Sequence, residues 1–418
     1  MIKRLSGGHV KHAAGLYIHI PFCHHRCTYC DFNIYAGMRR LFERYARAVA
    51  QEIAAGSPSP LTPLLPGEEK RAATIYFGGG TPSLLPIACI TPILEAIRSS
   101  FDVPSDVEIT LEANPQPDDD GYFARLRELG VNRLSFGMQS AIERDLRLFR
   151  RGHTFDDVAR TVRLARSAGL DNLNLDLIYG IPGQSLDDWR MTLEAALSLG
   201  PEHISAYGLQ VEDGTTLKKW IAQGKLPSPD DDLAADMFNL ADAVLEQAGF
   251  THYEISNWAR ATPTSNFQPP TFQCRHNLIY WRNEPYLGFG CGAHSWFGGR
   301  RFSNLRHPRA YVAAIEAGQT VEAEAEVISR ELEMGETMMV GLRLLEEGVS
   351  FERFASRFGA DMREVYHSQM ERLLKQGLIE VDKARLRLSR QGRLVGNRVF
   401  GEFLLESPTR VTRRPAAG

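Results

Sequence analysis

Three cysteines in the run Tyr17-Ile-His-Ile-Pro-Phe-Cys-His-His-Arg-Cys-Thr-Tyr-Cys-Asp-Phe32 constrain this chain more than any other feature. Cys23, Cys27 and Cys30 stand at C-x3-C-x2-C spacing, just after an apolar alternation (Leu16, Ile18, Ile20) that reads as a strand. Thiolates spaced in this way can hold three corners of a cubic [4Fe–4S] cluster. Such a cluster takes four ligands, so one iron is left for a ligand that is not cysteine. Two other readings of the spacing stay open. His24 or His25 could complete a closed four-ligand zinc site. A disulfide would leave an odd cysteine and require an oxidising compartment.

At 418 residues the chain can bury a substantial core and is expected to divide into domains. A net charge of −3 argues against a surface built for nucleic acid. Six cysteines, at 23, 27, 30, 89, 274 and 291, are too few and too unevenly spaced for a disulfide scaffold. The basic N-terminus is followed by no apolar h-region, and no apolar run reaches the length of a membrane span. A cytoplasmic protein is expected, with contact at a membrane surface left open.

The first half alternates short apolar runs with amphipathic stretches, the pattern of βα units around a parallel sheet. Strands are expected at 15–20, 73–77, 107–112, 133–136, 173–178 and 203–207, and helices at 38–55, 155–168, 186–199 and 233–248. Six such units are two short of a full (β/α)8 barrel. Loop-like material fills 56–69 and 260–272. Beyond 328, helices at 332–345, 351–358 and 362–374 precede a hairpin of 378–381 and 384–388, a winged-helix-like order. The expected division is a flexible start at 1–14, a core at 15–255, a connecting region at 256–327, a C-terminal domain at 328–405 and a disordered tail at 406–418. For the C-terminal domain, packing is the simpler reading than DNA binding.

The cysteines, together with the glycine run Phe77-Gly-Gly-Gly-Thr-Pro82, resemble the radical S-adenosylmethionine (SAM) superfamily. Within it, Tyr17-Ile-His-Ile-Pro-Phe-Cys23 is similar to the oxygen-independent coproporphyrinogen III oxidase family, and the likeness extends over roughly 15–404. The resemblance implies an α/β fold, a partial (β/α)6 barrel with the C-terminal, mostly helical, winged-helix-like domain. It also implies a [4Fe–4S] cluster whose open iron chelates SAM, with Cys23, Cys27 and Cys30 as ligands. SAM contacts are implied at Tyr17, Tyr29, Gly79, Gly80, Thr81, Glu112, Gln139, Arg151 and Asp176. Physically, glycine backbone N–H groups are open to a carboxylate, and an arginine can grip one with two donors. Asp176 alone, inside an apolar strand, reads equally well as a structural carboxylate with partners. Reduction of the cluster would cleave SAM; that possibility does not establish that the chain turns over, and catalytic status is left undecided.

Two departures separate the sequence from the oxidase branch. That branch carries a further cysteine two positions after the third, where Phe32 stands here, and an N-terminal arm for which only sixteen residues precede Tyr17. A positive feature points elsewhere: His276-Asn-Leu-Ile-Tyr-Trp281 resembles a motif of the heme-chaperone branch, HemW. The resemblance implies heme binding through His276, Asn277, Tyr280 and Trp281, with heme-accepting proteins as partners. Histidine is a common axial ligand for heme iron, and His294 is a second candidate. Cys274 and Cys291 read as small buried hydrophobes, and Cys89 as core. The expected function is that of a heme chaperone. The alternatives are coproporphyrinogen III decarboxylation and, more remotely, radical SAM methyl transfer.

Overall fold

Alternation along six strands organises the larger part of the molecule. In the computed structural model these strands are β1 (His12–Ile20), β2 (Lys70–Gly79), β3 (Glu108–Ala113), β4 (Arg133–Gln139), β5 (Leu173–Tyr179) and β6 (His203–Gly208). They pair side by side and parallel in chain order. One set of alternate residues is apolar and buried: Leu16, Ile18, Ile75, Phe77, Ile109, Leu111, Leu134, Phe136, Leu173, Leu175 and Ile204. These join the main hydrophobic cluster together with residues of the crossover helices, among them Tyr45, Val49, Ile90, Leu94, Val158 and Leu193. The other set is polar: Thr74, Glu108, Thr110, Arg133, Ser135, Asn174, His203 and Ser205, all buried. Side chains of successive residues on a strand point to opposite faces, so the helix-covered face is greasy and the opposite face is a polar lumen.

Part of the lumen is hydrogen-bonded within itself. Ser135 donates to Asp176 (2.9 Å), Asn174 donates to Ser135 (2.7 Å) and to Asp176 (2.8 Å), and Ser205 donates to Asn174 Oδ1 (3.2 Å). Buried polar groups persist where they find such partners.

Six further strands extend the sheet: β7 (Phe250–Glu254), β8 (Asn257–Arg260), β9 (Tyr286–Phe289), β10 (His294–Phe297), β11 (Arg300–Asn304) and β12 (Glu322–Val327). The twelve-stranded order is β12-β11-β10-β9-β1-β2-β3-β4-β5-β6-β8-β7. β9 runs parallel to β1, whereas β10, β11 and β12 form an antiparallel wing and β8 is antiparallel to β6. β1 therefore does not close onto β6, and the barrel of six βα units is open. Helices Phe155–Ser167 and Leu186–Ser198 begin at capping boxes, Thr154 with Asp157 and Ser185 with Asp188.

The structure describes residues 12–55, 70–115, 121–261 and 272–404. The loop expected at 56–69, most of that at 260–272, nearly all of the expected flexible start and the tail lie outside them. The chain falls into two compact units. The first comprises Met1–His252, Ser256–Ile279 and Glu284–Val327, and the second Tyr253–Ile255, Tyr280–Asn283 and Ile328–Gly418.

The second unit is built around Met338, Leu342, Phe354, Met362, Leu373, Leu386 and Val399. Its helices include Arg330–Gly341, Phe351–Phe358, Met362–Val365 and His367–Lys375, and its strands are β13 (Val349–Ser350), β14 (Ile379–Val381) and β15 (Arg385–Leu388), in the order β13-β15-β14. The single helix expected at 362–374 is two, because Tyr366 leaves the helical region (φ −112°, ψ 25°). Among the described residues no helix is long and apolar enough to cross a membrane.

Candidate functional site

The cysteine loop follows β1 and is held from several directions. The Thr28 N–H donates to the Phe149 carbonyl (3.3 Å), its hydroxyl to Leu148 (2.8 Å), and its carbonyl accepts from Leu217 N–H (2.9 Å). Arg26 Nε reaches the Cys30 carbonyl (3.2 Å), and the His25 ring meets the Arg150 carbonyl. Cys23, Cys27 and Cys30 are half-buried and free of disulfides. Burial raises the Cys23 thiol and pushes Cys30 up to about 11. Without a cation both stay protonated at neutral pH, and metal uptake would release their protons. Among the described residues no three His, Cys, Asp or Glu side chains converge on one point as a single ion requires. Three unbridged thiols on one loop, each able to take its own iron, are a donor set that suits a cluster.

The C-terminal ends of β2, β3 and β4 meet this loop. Gly79 (φ +116°) and Gly80 end the second strand where side chains have no room. A Cβ on Gly80 would lie 2.5 Å from the Phe22 carbonyl, and one on Gly79 would lie 2.5 Å from the His19 ring. One expectation fails here. The N–H groups of this run are not open to a carboxylate: Gly79 donates to Glu112 Oε2 (3.0 Å), Gly80 to Ile20 O (2.8 Å) and Thr81 to Phe22 O (2.8 Å). The chain leaving β1 takes the donors of Gly80 and Thr81, and the Glu112 carboxylate on β3 takes that of Gly79. What the glycines supply is close approach.

Glu112 also accepts from Tyr76 OH (2.8 Å). Burial, then repulsion from Asp176, raises its carboxyl to about 7 against those two hydrogen bonds. Asp176 is likewise raised by burial, although Ser135 and Asn174 bind it. Gln139 occupies the left-handed region (φ 67°) beside a register shift between β4 and β5. Non-glycine residues held there carry strain, which gathers at functional sites. Arg151 Nη2 donates to Asn114 Oδ1 (2.7 Å) and Gly137 O (2.8 Å), and its Nη1 lies 3.7 Å from Cys27 Sγ. Thr81 Oγ1 lies 3.5 Å from Cys23 Sγ. Tyr29 packs on Phe149 (4.5 Å between centroids), and Tyr17 OH contacts His19 Nδ1 (3.0 Å). Tyr17, Gly79, Gly80, Glu112, Asn114, Arg151 and Asp176 keep part of their surface accessible. Asn114 was not singled out from sequence; its place next to Pro115, two residues after Glu112, was the available signal.

Of the heme-motif residues, His276 borders this set, its ring stacked with that of Tyr17 at 6.4 Å between centroids. His276 opens helix Arg275–Trp281 and is buried in the first unit. Its Nδ1 meets Thr74 Oγ1 (2.7 Å), and its ring stacks on Tyr76 (4.9 Å). Burial, then the nearby Arg133 charge, lowers its pKa to about 3. Glu108 accepts from the N–H groups of Arg275 (3.0 Å) and His276 (3.1 Å), anchoring the helix start to β3. In this conformation the imidazole faces the lumen, not solvent. Asn277 is half-buried. In the second unit Tyr280 and Trp281 are half-buried, and the Arg343 guanidinium lies 4.3 Å over the Trp281 ring. His294, on β10, is exposed.

The Radical SAM superfamily profile matches residues 17–196, and the HemN C-terminal domain profile matches 328–395. The chain is 36% identical over 391 residues to the heme chaperone HemW of Bacillus subtilis, covering 93% of this chain and 99% of that one. It belongs to the HemW family. The HemW of Escherichia coli is 33% identical, with 94% and 98% covered. A bovine mitochondrial radical S-adenosyl methionine domain-containing protein 1 is 32% identical, with 91% and 84% covered. Among solved structures, coproporphyrinogen III oxidase (HemN) from Escherichia coli superposes with a TM-score of 0.78 at 23% identity, covering 94% of this chain and 90% of that one. That likeness establishes the radical SAM barrel fold. Membership of the HemW family within the radical SAM superfamily implies a [4Fe–4S] cluster and SAM as cofactors.

Proposed function

We propose that this chain is a heme chaperone that binds heme, one [4Fe–4S] cluster and SAM, and delivers heme to acceptor proteins. The observation that carries this reading is end-to-end likeness to relatives named heme chaperones, set against likeness in fold alone to the oxidase. Phe32, 63% exposed, stands where the oxidase branch carries its further cysteine and leaves that position without a thiol.

Cys23, Cys27 and Cys30 would hold the cluster, which when bound supplies an electron for reductive chemistry on SAM. The chain's own part is to bind and orient. Arg151 suits the SAM carboxylate, and Glu112, of opposite charge, suits the amino group. An ammonium arriving at Glu112 would favour the ionised form that burial disfavours. Gly79 and Gly80 allow close approach, and Thr81, Gln139, Asp176, Tyr17 and Tyr29 complete the wall. Free thiols and an oxygen-sensitive cluster require a reducing compartment, which supports a cytoplasmic location.

For heme, two ligand sites are distinguished by geometry. The motif His276–Trp281 is the sequence signal, and ligation by His276 requires its helix to leave the lumen. His294 is exposed as it stands. Titrating heme into the purified protein should give one equivalent bound with a Soret band. Coproporphyrinogen III supplied with SAM and reductant should stay unconverted. Robust decarboxylation without heme binding would replace this reading with the oxidase. Loss of the band in His294→Ala alone places the ligand on β10, and loss in His276→Ala alone places it on the motif helix.

A further inference from the structure

We propose that Asn114 is a positioning residue that sets the reduction potential of the cluster by orienting the donors facing two of its thiolates. The inference rests on the cluster reading above. Asn114 bridges two groups that each touch a cysteine sulfur. Its Oδ1 accepts from Arg151 Nη2 at 2.7 Å, and Arg151 Nη1 stands 3.7 Å from Cys27 Sγ. Its Nδ2 donates to Thr81 Oγ1 at 3.2 Å, and that oxygen stands 3.5 Å from Cys23 Sγ. Its backbone N–H donates to Ser83 Oγ at 3.3 Å, which fixes the residue at the end of β3.

The polarity of this arch has one solution. Arginine has donors and no acceptor, so the amide oxygen must face Arg151 and the amide nitrogen must face Thr81. Thr81 Oγ1 then receives a hydrogen bond, and its single proton is released toward Cys23. An iron-bound thiolate can only accept. Thr81 and Arg151 thus present a hydroxyl and a cationic donor to Cys23 and Cys27. Hydrogen bonds to cluster sulfurs are among the features that set the potential of a cluster, and donors that stabilise the more negative reduced state raise it. Asparagine is suited to this because it carries an acceptor and a donor on one short arm. Aspartate has nearly its shape but no donor, so Thr81 would turn its proton to the carboxylate and leave Cys23 without it.

The experiment is a double-mutant cycle on the full chain, reconstituted anaerobically with iron and sulfide. Asn114→Asp, Thr81→Val and the double variant are compared with wild type by iron content, thermal melt and midpoint potential followed by electron paramagnetic resonance. All four proteins should bind about four irons and melt within a few degrees of one another. Thr81→Val should move the potential to more negative values in the wild-type background. In the Asn114→Asp background the same substitution should move it little, because the proton has already been turned away. A Thr81→Val shift of equal size in both backgrounds, or an Asn114→Asp potential equal to wild type, overturns the inference while the cluster reading stands. Wild-type protein that takes up no cluster fails that reading itself. Asn114→Ala guards against a misfolded Asp variant. Alanine frees the Thr81 hydroxyl without diverting its proton, so the Thr81→Val shift should be smaller than in the wild-type background but not abolished, and a shift of full size there counts against the arch.

Discussion

Replacing His276 separates its role as a lumen residue from its role as a heme ligand. The ring is buried, stacked at 4.9 Å on Tyr76 and bonded to Thr74 at 2.7 Å. Truncating a buried ring to alanine costs about 3–5 kcal/mol. The Thr74 hydroxyl, itself buried, would lose its partner at about 1–3 kcal/mol, part of which that figure already contains. His276→Ala should therefore lose about 3–5 kcal/mol in urea unfolding and melt roughly 6–20 °C lower. His276→Phe keeps a ring and should lose only the hydrogen-bond part, about 1–3 kcal/mol.

The pH dependence checks the same placement. The folded pKa of about 3 lies below the usual histidine value of 6.5. The unfolded chain therefore binds the extra proton first, and stability contributed by His276 is present above pH 6.5 and lost as pH falls toward 3. Each unit inside that window removes about 1.4 kcal/mol. The stability gap between wild type and His276→Phe should narrow by about 2 kcal/mol between pH 6.5 and pH 5. A variant as stable as wild type, with a gap independent of pH, would refute the buried placement.

Cys23→Ala, Cys27→Ala and Cys30→Ala should each abolish the cluster absorption after reconstitution, since the three thiols are the proposed ligands. Removing Arg151 or Glu112 should weaken SAM binding about ten- to a hundredfold, as loss of a hydrogen bond to a charged group predicts, while iron content stays unchanged; equilibrium dialysis with SAM measures it, and unchanged binding in both variants would misplace the pocket. Gly80→Ala places a Cβ 2.5 Å from the Phe22 carbonyl and should weaken SAM binding and cluster retention together, because the strand end and the cysteine loop must part. Burial raises Glu52 to about 7 although Tyr311, Gly290 and Asn304 donate to it. Its folded pKa exceeds the unfolded one, so stability should fall as pH rises from about 4.5 to 7, and Glu52→Gln should flatten that part of the urea-stability profile against pH.

Much of the architecture could be read from alternation and spacing. The six parallel strands appear where period-two runs stand, because a strand with one greasy face must alternate. The wing strands β10 to β12 left a weaker signal, being short and cut by glycines at 298 and 299. Helix Ile87–Ser100 holds Pro92, which blurs its sequence pattern. The glycine run was recognised as a place of close approach, but not that its N–H groups are already engaged. Hydrogen-bond bookkeeping of that kind depends on which strand lies alongside.

The same division runs through the site. Three thiols within eight residues are neighbours in any fold, because so short a chain cannot separate them, and their chemistry follows from composition and spacing alone. His276 could not be placed from sequence, since a histidine before an apolar helix face suits a core and a ligand site equally. Its burial depends on Thr74 and Tyr76, some two hundred residues earlier in the chain, and on Glu108 holding the helix start. Asn114, just past β3, joins Thr81, just past β2, to Arg151, which follows the helix Glu143–Phe149. Its amide is ordinary in the sequence. Only the folded barrel, which brings the ends of β2, β3 and β4 to the cysteine loop, makes it the link between two cluster thiols.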